Sequence, residues 1–403
     1  METSELEFFP VPGVRLGTAK AGIKYWDRTD LVIMELTEGT NCAAVFTRNA
    51  FCAAPVILAK EHLAETLPHF LLINSGNANA GTGEEGLKAA RESCKAVAAA
   101  RGCSVSQVLP FSTGVIGESL PVDRIAVAVP DALQSLHEQG WKTASEAIMT
   151  TDTVPKLVST QFEFHGRTLT VTGMAKGAGM IRPDMATMLA YLATDALVDR
   201  RLLQSALESA VSTTFNAITV DGDTSTNDAC VLVATGLGGG APIRDSDSGG
   251  FRQLKNAVHQ VCSALARAII KDGEGATKLV EVEVEQARDL EEAKSVAYTI
   301  AHSPLVKTAL FASDPNWGRI LAAVGRAGVD QLDIETVKIW LDDVCIVRDG
   351  GRAPDYTESN GQRVVERDEF KIRVALGRGD ASTQILTCDL SYDYVKINAE
   401  YRT

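Results

Sequence analysis

The sequence predicts an α/β protein built in layers. Three observations carry this. Short apolar runs of strand length recur along the chain: VIMEL (32–36), FLLIN (70–74) and MLAYLA (188–193). Amphipathic helical patterns alternate with them, as in residues 87–98, 202–211 and 254–269. Such alternation is solved by helices packed on sheets. Near residue 280 the pattern shifts toward period two, which predicts a smaller, β-rich C-terminal subdomain.

Taken in order, VIMEL and AAVFT (43–47) read as strands separated by the turn-prone residues 37–41. FLLIN opens into SGNANAGTGEEG, then a helix with Leu87, Ala90, Cys94, Val97 and Ala98 on one face and Gly102 at its C-cap. Gly81, Gly83 and Gly86 fit GxGxxG, the dinucleotide fingerprint. Six residues separate Asn74 from Gly81, and no acidic residue follows at the ribose offset, so the reading adopted is a packed loop capped by Asn74, Asn77 and Asn79. VLPFSTGVIGE (108–118) is an apolar run broken at Ser112-Thr113-Gly114, and residues 121–140 read as one helix ended by Gly140. LVSTQFEFHGRTLTVTGMA predicts a hairpin turning at His165-Gly166.

A long helix is expected from Asp199. In 215–236, the acidic DGDTSTND (221–228) lacks the closing glutamate of a calcium loop, so it reads as a hydrogen-bonded loop. Residues 236–250 read as surface loop; the next helix ends at Lys271-Asp272-Gly273, with Glu274 in the turn after it. ATKLVEVEVEQ (276–286) alternates as a strand, 291–303 as a helix, and DPNWGRI (314–320) as a turn into a helix. The C-terminal stretch is read as strands to its end at Thr403.

The chemistry gathers in GMAKGAGMIRPDMATMLAYLATD (173–195), where a glycine-rich loop around Lys176 runs into an apolar strand at Ala186-Thr187. A threonine there can attack the carbonyl of Ala186, shift the acyl group to oxygen and let water cleave the ester. The freed α-amine, with a reference pKa of about 7.7–8.0, can then act as base for its own hydroxyl. Taken alone, the dipeptide more commonly marks a plain strand entry.

The longer string decides between them. GMAKGAGMIRPDMATML (173–189) closely resembles the signature of the ornithine acetyltransferase family, also called glutamate N-acetyltransferases. Ordered matches extend the resemblance along the chain: GVRLGTAKAGIK (13–24), NSGNANAGTG (74–83), FSTGVIGE (111–118), MTTDTVPK (149–156), FNAITVDGDTSTND (215–228), DGEGATK (272–278), DPNWGRI (314–320) and NAEYRT (398–403). The resemblance implies a layered αββα sandwich and cleavage between Ala186 and Thr187 into chains 1–186 and 187–403, assembled as a heterotetramer of two copies of each. It implies acetyl transfer from N2-acetyl-L-ornithine to L-glutamate through an acetyl-Thr187 intermediate, with Thr113 and Gly114 stabilising the oxyanion. Thr153, Lys176, Glu274, Asn398 and Thr403 would hold substrate, with Thr150 and Thr151 open as alternatives to Thr153. Some members also use acetyl-CoA as donor, and the residues leave that open. An aminopeptidase or amidase using the same threonine chemistry is the runner-up. A nucleotide-binding module built on residues 81–86 is a third reading.

Composition narrows the classes. A net charge of −13 argues against nucleic acid or an anionic membrane as partner. The eight cysteines are scattered without a CxxC pair, which predicts reduced thiols and a cytoplasmic protein. No apolar run reaches the ~18 residues of a membrane span, and the acidic start does not resemble a signal peptide. The six histidines show no metal-ligand spacing, and exchange between two amides requires neither metal nor cofactor.

Overall fold

The computed structural model describes residues 8–182 and 188–400. The chain divides into two compact units. The first comprises residues up to Gly177, Arg182–Asn216 and Thr224–Ile269; the second comprises Ala178–Ile181, Ala217–Asp223 and Ile270 onward.

The first unit contains strands β1 (Val14–Ala19), β2 (Leu31–Leu36), β3 (Asn41–Phe46), β4 (Phe70–Asn77), β5 (Val108–Val115), β6 (Lys156–Phe164), β7 (Arg167–Lys176) and β8 (Leu189–Thr194). After β9 (Ile218–Thr219), which belongs to the second unit, comes β10 (Ala229–Ala234). These form a four-stranded sheet ordered β1-β2-β4-β5 and a five-stranded sheet ordered β3-β10-β8-β7-β6. Met34, Ile73 and Phe111 of the first sheet meet Met174, Tyr191 and Val231 of the second in one core. Within it the Phe111 and Tyr191 rings pack edge to face at 5.3 Å.

Helices α1 (Ala54–Glu65), α2 (Gly83–Arg101) and α3 (Val122–Gln134) place Leu58, Cys94, Val97 and Val129 on the outer face of the first sheet. Helix α4 (Trp141–Ala147) joins the inter-sheet core through Trp141. Helices α5 (Arg200–Thr213) and α6 (Gly249–Lys271) serve the second sheet. A Cβ at Gly173 of β7 would meet Val261 and Leu265 of α6, 2.9 and 3.3 Å away. This is the predicted αββα layering. It explains why Val32, Ile33 and Met34 are all apolar: Val32 and Met34 face the other sheet and Ile33 the helices, while Glu35 near the strand end pairs with Arg15 and Arg101.

The second unit continues with β11 (Leu279–Ala287), α7 (Leu290–Ala301), α8 (Pro304–Phe311), α9 (Trp317–Gly325), β12 (Lys338–Leu341), β13 (Val344–Arg348), β14 (Gly351–Arg352), α10 (Glu358–Val365), β15 (Glu369–Ala375), β16 (Ala381–Cys388) and α11 (Tyr392–Ala399). Its seven-stranded sheet is ordered β14-β13-β12-β15-β11-β16-β9. The alternation of LVEVEVEQ follows directly. Val280, Val282 and Val284 enter a core with Val296 and Ile300 of α7. Glu281 and Glu283 pair with Lys371 of β15 at 2.7 and 2.9 Å.

Three expectations are corrected. The segment 121–140 is not one helix: α3 ends at Gln134, and Gly140 is the N-cap of α4. Val127 is 79% exposed, because the buried face of α3 is Ile125, Ala128, Val129 and Ala132. Among the described residues, the stretch after β16 is not a strand. After β16, the Ser391 side chain accepts from Tyr394 N and starts α11. The alternation in SYDYVKIN therefore marks no buried face, since Tyr392 and Val395 are both exposed. Helices α1, α4, α8 and α10 have no counterpart in the sequence reading. Apolar residues are spread around α1, so no amphipathic stripe announces it. The eight cysteines are free. Among the described residues no helix is long and apolar enough to cross a membrane.

Candidate active site

In the first unit, β4 and β5 run parallel, setting Ser75 beside Thr113 and Gly76 beside Gly114. The strands approach so closely at this end that only glycine fits. Gly114 has φ +133°, and a Cβ there would lie 2.6 Å from Asn77 N. Thr113 is thereby fixed, buried, at the strand tip. Lys176, the last residue of β7, is also buried and donates from Nζ to Thr113 Oγ1 at 3.3 Å. An ammonium on the lone pair of a hydroxyl leaves the O–H free to donate elsewhere. That is the arrangement a developing oxyanion requires.

Asp152 organises the cationic side of this cluster. Its carboxylate accepts from Lys156 Nζ and Gly177 N, both at 2.7 Å, and from Thr150 N at 3.0 Å. Burial alone would raise its pKa, but the Lys176 and Lys156 charges and these hydrogen bonds hold it well below the carboxylate range. The Arg28 guanidinium donates to the carbonyls of Met149 and Thr150, fixing the start of the same segment. Thr153, next to Asp152, is exposed.

A second polar network braces the strand tips. Ser112 Oγ donates to Asn74 Oδ1 at 2.6 Å, and Asn227 Nδ2 donates to Ser112 O at 2.9 Å and Ala78 O at 2.6 Å. Next to it Asp228 is fully buried with Oδ2 unpartnered among the described residues. Burial pushes its pKa well up, against the hydroxyl of Ser225 and the charge of Lys176.

In the second unit, Glu274 and Asn398 meet. Asn398 Nδ2 on α11 donates to Glu274 Oε2 at 2.7 Å. Glu274 N donates to Ala178 O at 2.8 Å, and its carboxylate rests on Gly179, where a Cβ would be 2.5 Å from Oε1. Asp221 accepts from Met180 N at 2.6 Å and Ile181 N at 2.9 Å, and Tyr394 OH donates to it at 3.3 Å. This is the hydrogen-bonded loop expected of DGDTSTND: the carboxylate is turned onto backbone N–H groups.

The pattern of the ArgJ family matches residues 15–403. The chain is 58% identical over 400 residues to the arginine biosynthesis bifunctional protein ArgJ of Methylococcus capsulatus, covering 99% of this chain and 98% of that one. The chain belongs to the ArgJ family. It is thus a bifunctional acyltransferase of arginine biosynthesis. The protein of the same name from Pseudomonas fluorescens is 56% identical, with 98% of this chain and 97% of that one covered. The crystal structure of ArgJ from Bacillus halodurans is similar to 52% of this chain and 97% of its own, at 40% identity and a TM-score of 0.49.

Within this ArgJ-family chain, Thr113, Gly114 and Lys176 come together in the first unit, and Glu274 and Asn398 in the second. Ala186, Thr187 and Thr403 lie outside the described residues. The described residue next to Thr187 in the chain is Met188, whose carbonyl accepts from Ala229 N at 3.1 Å. The sequence reading missed Asp152, Asp221 as a backbone acceptor, Asp228 as a buried carboxyl, and Tyr394. For Asp152 a signal existed: it stands four residues before Lys156 within MTTDTVPK. Among the glycines of 81–86, Gly81 and Gly83 take positive φ in turns, and Gly86 sits where a Cβ would lie 1.9 Å from Thr82 Oγ1. Thr82 Oγ1 donates to Asn79 Oδ1 at 2.9 Å, and Asn79 Nδ2 donates to Gly86 O, so the loop closes on itself.

Proposed function

We propose that the enzyme transfers acetyl from N2-acetyl-L-ornithine to L-glutamate through an acetyl-Thr187 intermediate, working in the cytoplasm. The peptide bond between Ala186 and Thr187 breaks first, leaving chains 1–186 and 187–403, two of each in the assembled enzyme. The Thr187 hydroxyl then attacks the acetyl carbonyl while its α-amine takes the proton. That proton passes to the departing ornithine nitrogen as the C–N bond breaks. Glutamate repeats the steps in reverse, its amine attacking the ester and Thr187 leaving. Thr113 and Gly114 stabilise the oxyanion; Thr153, Lys176, Glu274, Asn398 and Thr403 hold the amino acids.

The observation that carries this reading is the Lys176 ammonium on Thr113 Oγ1, beside a glycine that admits no side chain. This geometry supports charge developing on an acyl oxygen. Donor and product are both amides of similar energy, so the exchange is reversible and draws on no nucleotide or metal. Steady-state kinetics test it: varied acetylornithine at several fixed glutamate concentrations should give parallel double-reciprocal lines. Intersecting lines would exclude departure of ornithine before glutamate binds, and with it the ping-pong order. Glutamate with acetyl-CoA as sole donor, and no ornithine, assays the second acetyl source. Release of free acetate outrunning transfer to glutamate would favour an amidase instead.

A further inference from the structure

Helix α11 carries Asn398 yet buries none of its eight residues. A helix this short does not hold itself together in water, so its placement depends on a few polar attachments. Its first turn rests on Gly275, where a Cβ would lie 2.5 Å from both Ser391 Oγ and Tyr394 N. Further along, Tyr394 OH donates to Asp221 Oδ2 at 3.3 Å, and Asn398 Nδ2 donates to Glu274 Oε2 and to Tyr394 O. Tyr394 and Asn398 are four residues apart and share one face of the helix.

Asp221 has a second hold on the same surroundings. Met180 has φ +55°, a conformation that costs a non-glycine residue energy and persists only where neighbours impose it. Asp221 supplies that by accepting from both Met180 N and Ile181 N. The Ala178–Ile181 turn so fixed is the one whose Gly179 supports the Glu274 carboxylate and whose Ala178 O accepts from Glu274 N. One carboxylate thus ties down the turn beneath Glu274 and the helix that brings Asn398 to it.

We propose that Asp221 and Tyr394 are positioning residues for amino-acid binding, setting the geometry of Glu274 and Asn398 without touching substrate. This rests on the reading that Glu274 and Asn398 hold the amino acid. Burial and the nearby Asp221 and Glu274 carboxylates raise the Tyr394 pKa, so the phenol stays a donor throughout the working range.

The test is a kinetic cycle with N2-acetyl-L-ornithine as donor and glutamate as acceptor. Tyr394→Phe should raise KM for the donor about fivefold, the effect of one ordinary hydrogen bond lost. Its kcat should stay within about twofold of wild type, as remote positioning of binding predicts. Its unfolding temperature and cleavage into two chains should be unchanged. Asn398→Ala should raise KM as well, and Tyr394→Phe/Asn398→Ala should be no worse than Asn398→Ala alone, because Tyr394 acts through Asn398. Asp221→Asn should raise KM more than Tyr394→Phe, since both attachments weaken. An unchanged KM in Tyr394→Phe, or effects that multiply independently in the double variant, would overturn the proposal. Glu274→Gln separates the two readings. If it raises KM while Tyr394→Phe does not, the substrate assignment stands and the positioning role falls; if it leaves KM unchanged, the substrate assignment itself is lost.

Discussion

Asparagine in place of Asp152 is expected to destabilise the protein by about 3–5 kcal/mol, the typical cost of stranding one member of a buried ion pair. The Asp152 and Lys156 side chains are 0% and 1% exposed, so Lys156 has no route to water in the folded protein. The wild-type carboxylate accepts three hydrogen bonds, from Lys156 Nζ, Gly177 N and Thr150 N. Asparagine has nearly the same shape but offers one oxygen, and its NH2 group must face a donor. At roughly 2 °C per kcal/mol for a unit of this size, melting should fall by about 6–10 °C. Calorimetry at pH 7 measures it.

The pH dependence gives an independent check. The folded pKa of Asp152 lies below its ordinary value, so its contribution is complete above about pH 4 and fades as acid approaches the depressed folded pKa. The gap between wild type and Asp152→Asn should hold from pH 5 to 8 and narrow below about 4. The double variant Asp152→Asn/Lys156→Met removes the stranded ammonium and should recover most of the loss. A gap under about 1 kcal/mol at pH 7, or one that widens in acid, would refute the argument.

Asp228→Asn should do the opposite. Its wild-type pKa is raised, so native stability falls as pH climbs above the unfolded value of about 3.9. The variant lacks that penalty and should melt higher at pH 8, with the gain vanishing near pH 4; a lower melting temperature at pH 8 contradicts it. Gly179→Ala puts a Cβ 2.5 Å from Glu274 Oε1 and should raise donor KM roughly tenfold, as steady-state kinetics would read. Gly114→Ala should lower kcat by about 10²–10³ by disturbing the Thr113 strand tip, and near-normal turnover would contradict it.

A strand buried on both faces, such as MLAYLA, was legible because a layered sandwich leaves almost no room in it for charged side chains. The LVEVEVEQ strand was legible for the opposite reason: its valines alternate with glutamates that face Lys371 and Arg373 of β15. Thr113 and Lys176 are 63 residues apart, and only the family resemblance joined them before the fold did. Asp221 and Tyr394 lie 173 residues apart, and no local pattern says that an aspartate in a polar loop will hold a distant helix. Helix α11 was misread because it has no buried face, so side-chain period carries no information there. Polar partners chosen across long separations are what the sequence conceals.

The central claim is that Thr187 becomes an N-terminal nucleophile, and intact mass measurement of the purified enzyme tests it most directly. Two chains should be found, the second beginning at Thr187 and gaining one acetyl group after brief exposure to N2-acetyl-L-ornithine, while Thr187→Ala stays whole and inactive. A single 43.0 kDa chain that still exchanges acetyl between ornithine and glutamate would contradict the account.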